Sequence, residues 1–385
     1  MKLRHSFLFF SLMIYFIACK STSQVVTKHN EAIEQKLKEL ATTHKLPGLN
    51  LSIIHKNNEE AHYTTGYSDL EEQIPLETND VFFSGSIGKT YAVALLMQLV
   101  DKGKVDLNRR VKDYFPTTVW LDKLPNMATI TVANLLEHSS GLPRWIMSME
   151  VWQKLHESPN KVWSYKDRFA YIFDTEAIHP SGKGWAYSDT NYLLIGMLIE
   201  KVSGKGYYDL VRSELLSPFN LKQTYPSESR IIPNLSMAYS KLPEAFKIPN
   251  KVINEGKYVF NPQVEWSGGG MASTTSDLAK WAKIYYEGQV FSKVLLNQIT
   301  TINANGTKVH NGHSYGMGSF IYHTKNGEIY GHSGFMPGYN SIFAYYPKQE
   351  IAVALQCNCD YAASSMDLVN SLELLMAPVI NTSPN

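Results

Sequence analysis

Phe83-Ser84-Gly85-Ser86-Ile87-Gly88-Lys89-Thr90 runs directly into Tyr91-Ala92-Val93-Ala94-Leu95-Leu96-Met97-Gln98-Leu99-Val100. Tyr91, Leu95, Leu96, Leu99 and Val100 recur at helical spacing and Gly103 closes the run, which predicts a helix beginning near Ser86. Residues i and i+3 share a helix face, so Ser86 and Lys89 lie within side-chain reach of each other. A serine hydroxyl is a poor nucleophile at neutral pH and needs a neighbouring base. A lysine serves as that base when burial or a nearby positive field lowers its pKa. The first helical turn supplies such a field, and its free amides favour developing negative charge. Ser86 and Lys89 are therefore a candidate nucleophile and base.

The spacing alone is not specific. Ser158 and Lys161 repeat it, but Pro159 lies between them and no apolar helical stripe follows.

The remaining composition narrows the class. With 385 residues, 44% hydrophobic and 12% aromatic, the chain is long and apolar enough for a large core in one or two domains. Charged residues make up only 18% and the net charge is +1, so there is no basic surplus to hold a nucleic-acid backbone. No internal repeat and no long low-complexity tract is present.

The N-terminus reads as a targeting segment. Lys2 and Arg4 precede an apolar run from Ser6 to Ala18 that is too short to span a bilayer comfortably. The run ends Phe16-Ile17-Ala18-Cys19, which resembles a bacterial lipoprotein signal with Cys19 as the lipidated mature N-terminus; an ordinary signal peptide is the alternative. Residues 1–18 are then a signal peptide and 19–28 a polar tether, and the mature chain is exported to the cell envelope or periplasm, held to the membrane through Cys19. Removal of 1–18 leaves 34 basic against 35 acidic residues. Cys357 and Cys359 remain, two apart in a strand-like run. Without a partnering histidine motif they read as structural thiols and not as a zinc site.

Asn30 caps a predicted helix to about Thr43, followed by strands over Leu49–His55 and Ala61–Gly66. Helical patterns then recur near 132–137, 162–173, 191–202 and 275–286. Strands return at 318–323, 328–331, 341–346 and 351–357, and a last amphipathic helix carries Met366, Val369, Leu372 and Leu375 to a stop at Pro378. The pattern predicts an α+β fold. One antiparallel sheet, flanked by the N- and C-terminal helices, would be built from 29–85 and 290–380, with 86–289 a mostly helical second region and a cleft between the two.

Four further stretches carry a resemblance. Tyr187-Ser188-Asp189 and His332-Ser333-Gly334 follow Ser86/Lys89 in the order of the three catalytic elements of the serine β-lactamase and penicillin-binding protein superfamily. Leu135-Leu136-Glu137-His138-Ser139-Ser140-Gly141-Leu142-Pro143 and Gly268-Gly269-Gly270-Met271-Ala272-Ser273-Thr274 with Asp277 resemble its supporting blocks. The chain is closest in pattern to class C β-lactamases, the related DD-carboxypeptidases and esterases on that scaffold, from about Ile33 to Met376. Tyr67-Ser68-Asp69 and His310-Asn311-Gly312 repeat single elements, but the first precedes Ser86 and the second has turn-like flanks.

The resemblance implies an acyl-enzyme at Ser86 on a substrate with a reactive carbonyl, small molecule or peptide, without a cofactor or metal. Lys89 and Tyr187 would move the proton, with either as the acylation base. The backbone amides of Ser86 and Phe335 would form an oxyanion hole. Asp189, His332, Ser333 and Gly334 would bind or support the substrate. Asp189 departs from the family's asparagine: an ionised aspartate accepts hydrogen bonds but cannot donate to an acyl-amide oxygen, and its charge would keep Lys89 protonated. Asn191 would replace it only if the loop shifted. A histidine in place of the third element's lysine also binds carboxylate less firmly. The resulting expectation is a DD-carboxypeptidase-like or esterase-like serine hydrolase. A class C-type β-lactamase and a non-catalytic cell-wall peptide-binding protein are the alternatives. A metallohydrolase is disfavoured, because His310 and His313 lack a completing glutamate.

Overall fold

A computed structural model describes residues 30–361 and 367–380. The expected signal peptide, the tether with Cys19, and Met366 lie outside the described residues.

Eight strands form the main sheet: β1 (Gly48–Ile54), β2 (Glu60–Asp69), β3 (Ile74–Pro75), β4 (Ser314–Tyr315), β5 (Phe320–Thr324), β6 (Gly327–Met336), β7 (Tyr339–Tyr346) and β8 (Ile351–Cys357). Their order is β3-β2-β1-β8-β7-β6-β5-β4. The N-terminal strands thus join the C-terminal meander through the antiparallel pair β1/β8, with Leu51 opposite Leu355. Every residue of β1, β7 and β8 is buried. Strands covered on both faces read as continuous apolar runs, which Ile351-Ala352-Val353-Ala354-Leu355 does.

The two covers come from different parts of the chain. α1 (Glu31–His44), capped by the Asn30 side chain, and the C-terminal helix pack on one face, where Ile33, Leu37, Leu372 and Leu375 meet Leu49, Leu51, Val353 and Leu355. The opposite face is covered by helix Thr275–Tyr286, which contacts β1, β7 and β8. The Ser52 hydroxyl donates to Thr275 Oγ1 at 2.8 Å. The sequence pattern predicts 275–286 in the second region, whereas this helix covers the sheet. Periodicity shows that a helix has an apolar face, not which surface receives it.

Other boundaries also differ. The predicted helix over 162–173 is instead a helix at Tyr165–Phe169 with a 3-10 turn at Ala170–Ile172, because Ser164 and Asp167 form a capping box that starts it late. The last helix is Leu368–Ile380, with Pro378 inside its final turn. Strand β6 extends five residues beyond the predicted Gly331. Its polar and glycine positions break the apolar alternation, but backbone pairing needs no apolar side chain: His332 pairs with Phe343 and Gly334 with Ser341. The Cys357 and Cys359 thiols are free, buried and 3.1 Å apart.

The second region centres on α2 (Lys89–Asp101) and α3 (Asp189–Ser203), which pack on each other and are buried over most of their length. Short strands Phe82–Phe83, Met271–Ser273 and Thr224–Pro226 form a small sheet that anchors the entry to α2.

Candidate active site

Ser86 sits in a 3-10 turn, Gly85–Gly88, that leads straight into α2. Strand β5 stops pairing with β6 at Gly331, so 332–336 have β7 on one side and this turn on the other. The approach is backbone to backbone. Gly85 has φ +52°, and a Cβ there would stand 2.4 Å from the Phe335 carbonyl oxygen and 2.5 Å from its amide nitrogen. A Cβ on Gly334 would meet the Ser84 oxygen at 1.8 Å and the Ser86 nitrogen at 3.1 Å. Glycine at both positions lets the backbone of Phe335 come up against the Ser86 turn. The Ser86 amide belongs to the first turn, whose N–H groups have no intrahelical acceptor.

Lys89 is completely buried. Its ammonium donates to Ser86 Oγ at 2.9 Å, to Asp189 Oδ1 at 2.8 Å and to the Gly268 carbonyl. Burial pulls its pKa down, but the charge of Asp189, with Tyr187 and Glu265 behind it, outweighs burial and raises it. The sequence argument that burial would free the amine fails here; its argument from Asp189 gives the right direction.

Asp189 opens α3 and is 6% exposed. Its second oxygen, Oδ2, accepts from Arg144 Nε at 2.9 Å and Nη2 at 2.8 Å. Burial would raise the carboxyl, yet Lys89 and Arg144 hold it well below the usual range. Sequence reasoning missed Arg144. Its signal was indirect: an acid in a motif position that normally carries none needs more than one cation once buried. Asn191 does not substitute for Asp189. It is fully buried, accepting from Ser140 Oγ at 2.6 Å, with its amide 2.9 Å from His138 Nδ1.

Tyr187 precedes α3. Its ring lies 4.2 Å from that of His138, 5.0 Å from Lys89 Nζ and 5.4 Å from the Arg144 guanidinium. The hydroxyl is buried on the side of Ser86 and Lys89. Burial raises its pKa, with Lys89 opposing, so it stands as a neutral phenol. His332 is 1% exposed. Its Nδ1 is 2.6 Å from the Ser333 carbonyl oxygen and its Nε2 is 3.2 Å from the Tyr315 hydroxyl. Nδ1–H therefore donates and Nε2 accepts, leaving no ring N–H for a substrate carboxylate. Burial, with the charge of Lys89, lowers its pKa to about 3.

Ser86, Arg144, Tyr187 and His332 line a cleft of about 320 Å³ with Trp185, Phe320, Phe335 and Leu368 as its apolar walls, and Lys89 and Asp189 lie behind it. Trp145, Trp152 and Trp266 are core, whereas Trp185 reaches the cleft. His310, set aside as a motif residue, lies at the exposed cleft rim, 6.0 Å from the Phe320 ring. The repeated motifs go elsewhere: Lys161 pairs with Asp167 at 2.9 Å, and Asp69 with Lys251 at 3.3 Å.

Glu265, three residues before the carbonyl that receives Lys89, was also missed. Burial and the charge of Asp189 push it up to about 7, against Lys89, Arg144 and Arg168. The folded value lies above the unfolded one of about 4.3, so its contribution to stability is complete below that pH and is lost as pH rises through about 7. Glu265→Gln should remove this slope: between pH 4 and 7 wild type should lose stability relative to the variant in urea titrations. Parallel curves would refute the assignment.

A nucleophile-bearing helix start, set against a strand edge between a sheet layer and a helical layer, defines the serine β-lactamase/transpeptidase class of fold. The chain belongs to the Beta-lactamase family, whose profile matches residues 33–376, and by that membership falls among the serine hydrolases related to β-lactamases. It is 26% identical over 296 residues to penicillin-binding protein 4* of Bacillus subtilis, covering 74% of this chain and 62% of that protein. Among solved structures it resembles a D-stereospecific amidohydrolase from Streptomyces sp., with TM-score 0.77, 26% identity, and coverage of 92% of this chain and 100% of that one. The D-amino acid amidase of Ochrobactrum anthropi, complexed with D-phenylalanine, shares the fold at TM-score 0.78 and 24% identity over 92% and 99% of the two chains.

Proposed function

We propose that the protein is an exported serine hydrolase that forms an acyl-enzyme at Ser86, acting in a DD-carboxypeptidase-like or esterase-like manner. The observation that carries this reading is the 2.9 Å contact between Lys89 Nζ and Ser86 Oγ at a cleft where the Phe335 amide faces the Ser86 turn. Oγ attacks a carbonyl carbon, its proton leaves to a base, and the tetrahedral oxyanion rests on the two amides. The carbon–leaving-group bond then breaks as that proton passes to the leaving group, and water later hydrolyses the ester at Ser86. Lys89 and Tyr187 are the two groups beside the Ser86 hydroxyl that can carry this proton, and because Asp189 keeps Lys89 protonated at rest, either can serve as the acylation base. Asp189, with both oxygens taken by cations, has no donor for a β-lactam amide oxygen, which supports the preference over a β-lactamase.

A fluorophosphonate or fluorescent penicillin should label Ser86 in wild type and fail on Ser86→Ala. An unlabelled wild type would point to the peptide-binding alternative. A panel of p-nitrophenyl esters, D-Ala-D-Ala peptides, D-amino acid amides and nitrocefin then separates the subtypes. Hydrolysis of nitrocefin at rates typical of β-lactamases would overturn the preference.

Export and anchoring are proposed from the sequence of residues 1–19. Cys19→Ala should abolish palmitate incorporation and release the protein from the membrane fraction. Palmitate retained by the variant would refute the anchor.

A further inference from the structure

Two thiols outside the cleft take no part in acyl transfer. Cys357 ends β8 and Cys359 follows two residues on, and both are buried, at 1% and 0% exposure. In a straight strand, residues two apart lie about 6.5 Å from each other, too far for their sulfurs to meet. Here the chain bends at Asn358 and the sulfurs stand 3.1 Å apart. Two carbon atoms pack best at about 3.5–4.0 Å, and sulfur is the larger atom. A disulfide needs about 2.0 Å, so the sulfurs are about 1 Å short of bonding distance.

The bend is fixed from outside. The fully buried Asn358 side chain donates from Nδ2 to the carbonyls of Tyr67 and Met237, at 3.0 Å each. The Tyr239 amide donates to the Asn358 carbonyl at 3.0 Å, and the Tyr239 carbonyl accepts from the Asp360 amide at 3.2 Å. On the sheet side, Cys357 lies opposite Leu49 of β1 and Asn340 of β7. The Asp360 carboxylate accepts from the amides of Lys241 at 2.9 Å and Gly338 at 3.0 Å. Gly338 is the turn between β6 and β7. The Cys357-Asn358-Cys359 step is thus the corner that ties β8 to the 237–241 segment and to the end of the strand bordering the cleft. Among the described residues, no cluster of His, Cys, Asp and Glu gathers there to hold a metal ion.

We propose that Cys357 and Cys359 are joined by a disulfide made as the chain folds, a short covalent clasp on this corner. The two thiols lose two protons and two electrons, and the oxidant is another disulfide, either that of a thiol-oxidising protein in the cell envelope or oxidised glutathione in vitro. One thiolate attacks that disulfide and releases its first thiol. The second thiolate then displaces the other thiol from the mixed disulfide, so one disulfide is consumed for the one formed. The exported location proposed above is one in which disulfides persist. In the finished fold, burial and the neighbouring Cys359 push the Cys357 thiol well up, so no thiolate is available for attack. The bond therefore forms before the corner closes, and the same enclosure shields it afterwards.

The test refolds the reduced, urea-unfolded protein with oxidised glutathione, which makes it independent of where the cell places the chain. Residues 349–385 contain both cysteines and no Lys or Arg, so trypsin releases them as one fragment. That fragment should be about 2 Da lighter than the reduced one, the mass of two hydrogens. Iodoacetamide should leave it unmodified in urea and should modify both cysteines once dithiothreitol is added. Two modified cysteines without reductant, a glutathione adduct or a cross-link between chains overturns the proposal. The oxidised protein should melt about 2–4 °C above the reduced protein, a small gain because the ring closed is short. Equal or lower melting overturns the clasp. Dithiothreitol should open the bond slowly in the native protein and rapidly in urea. Opening at the same rate in both overturns its enclosure.

Discussion

Ser86→Ala is expected to lower kcat/KM for any turned-over ester or peptide by about 10⁴ to 10⁶-fold, the range seen when a nucleophile is removed from an acyl-enzyme hydrolase. The loss should be in kcat, because the proposed oxyanion amides of residue 86 and Phe335 and the cleft walls would stay in place for substrate binding. The backbone is unaffected in this exchange, since alanine fits the helix start, so the melting temperature should not change. Steady-state kinetics on the variant, with active-site titration to exclude wild-type contamination, checks it. Retention of more than about one per cent of activity would show that the carbonyl is attacked by something other than Ser86, because even partial mechanisms in nucleophile variants fall below that level.

Asp189→Ala should have the largest effect on stability. It leaves the Lys89 ammonium with no counter-ion in a fully buried site and unpairs Arg144. Removing one partner from a buried ion pair costs about 3–5 kcal/mol. Urea denaturation at pH 7 measures this. The carboxyl is depressed in the folded state, so its stabilisation is present above the unfolded value of about 3.9 and is lost as pH falls below it. The gap between wild type and variant should therefore close in acid. A gap that persists unchanged at pH 3 would mean that packing, and not charge, is the cause. Asp189→Asn separates the functions further. It keeps an acceptor for Lys89 and supplies an amide donor, while removing the charge that raises the Lys89 pKa. The alkaline position of the acylation limb in the pH–rate profile should move to lower pH, and penicillin labelling should accelerate. No movement of the limb would assign it to a group other than Lys89.

What was legible in the chain is what local geometry dictates. Ser86 and Lys89 lie three apart across a 3-10 turn and a helix start, and on that helical backbone the spacing brings Nζ to Oγ. The helix cap at Asn30 and the strand at Ile351–Cys357 are equally local. The order of Ser86, Tyr187 and His332, more than any one of them, distinguished the site from its repeats at Ser158, Tyr67 and His310. His310 still ended at the cleft rim, because turn-like flanks describe its loop and not the loop's destination.

The sequence by itself determined the Ser86–Lys89 pairing, the α+β alternation and the presence of an acid at 189. Tertiary structure decided what those groups became. Arg144 reaches Asp189 across 45 residues and Lys89 reaches it across 100, contacts with no periodicity to announce them. The same packing extends β6 past Gly331 so that Phe335 meets Gly85, places Thr275–Tyr286 on the sheet, and encloses His332 until it is neutral. The physical reason is the range of the forces involved. Hydrogen-bonded spacing acts within a turn, whereas the charge state of a buried lysine is set by every ionisable group that the folded chain brings within a few ångströms, however distant in sequence.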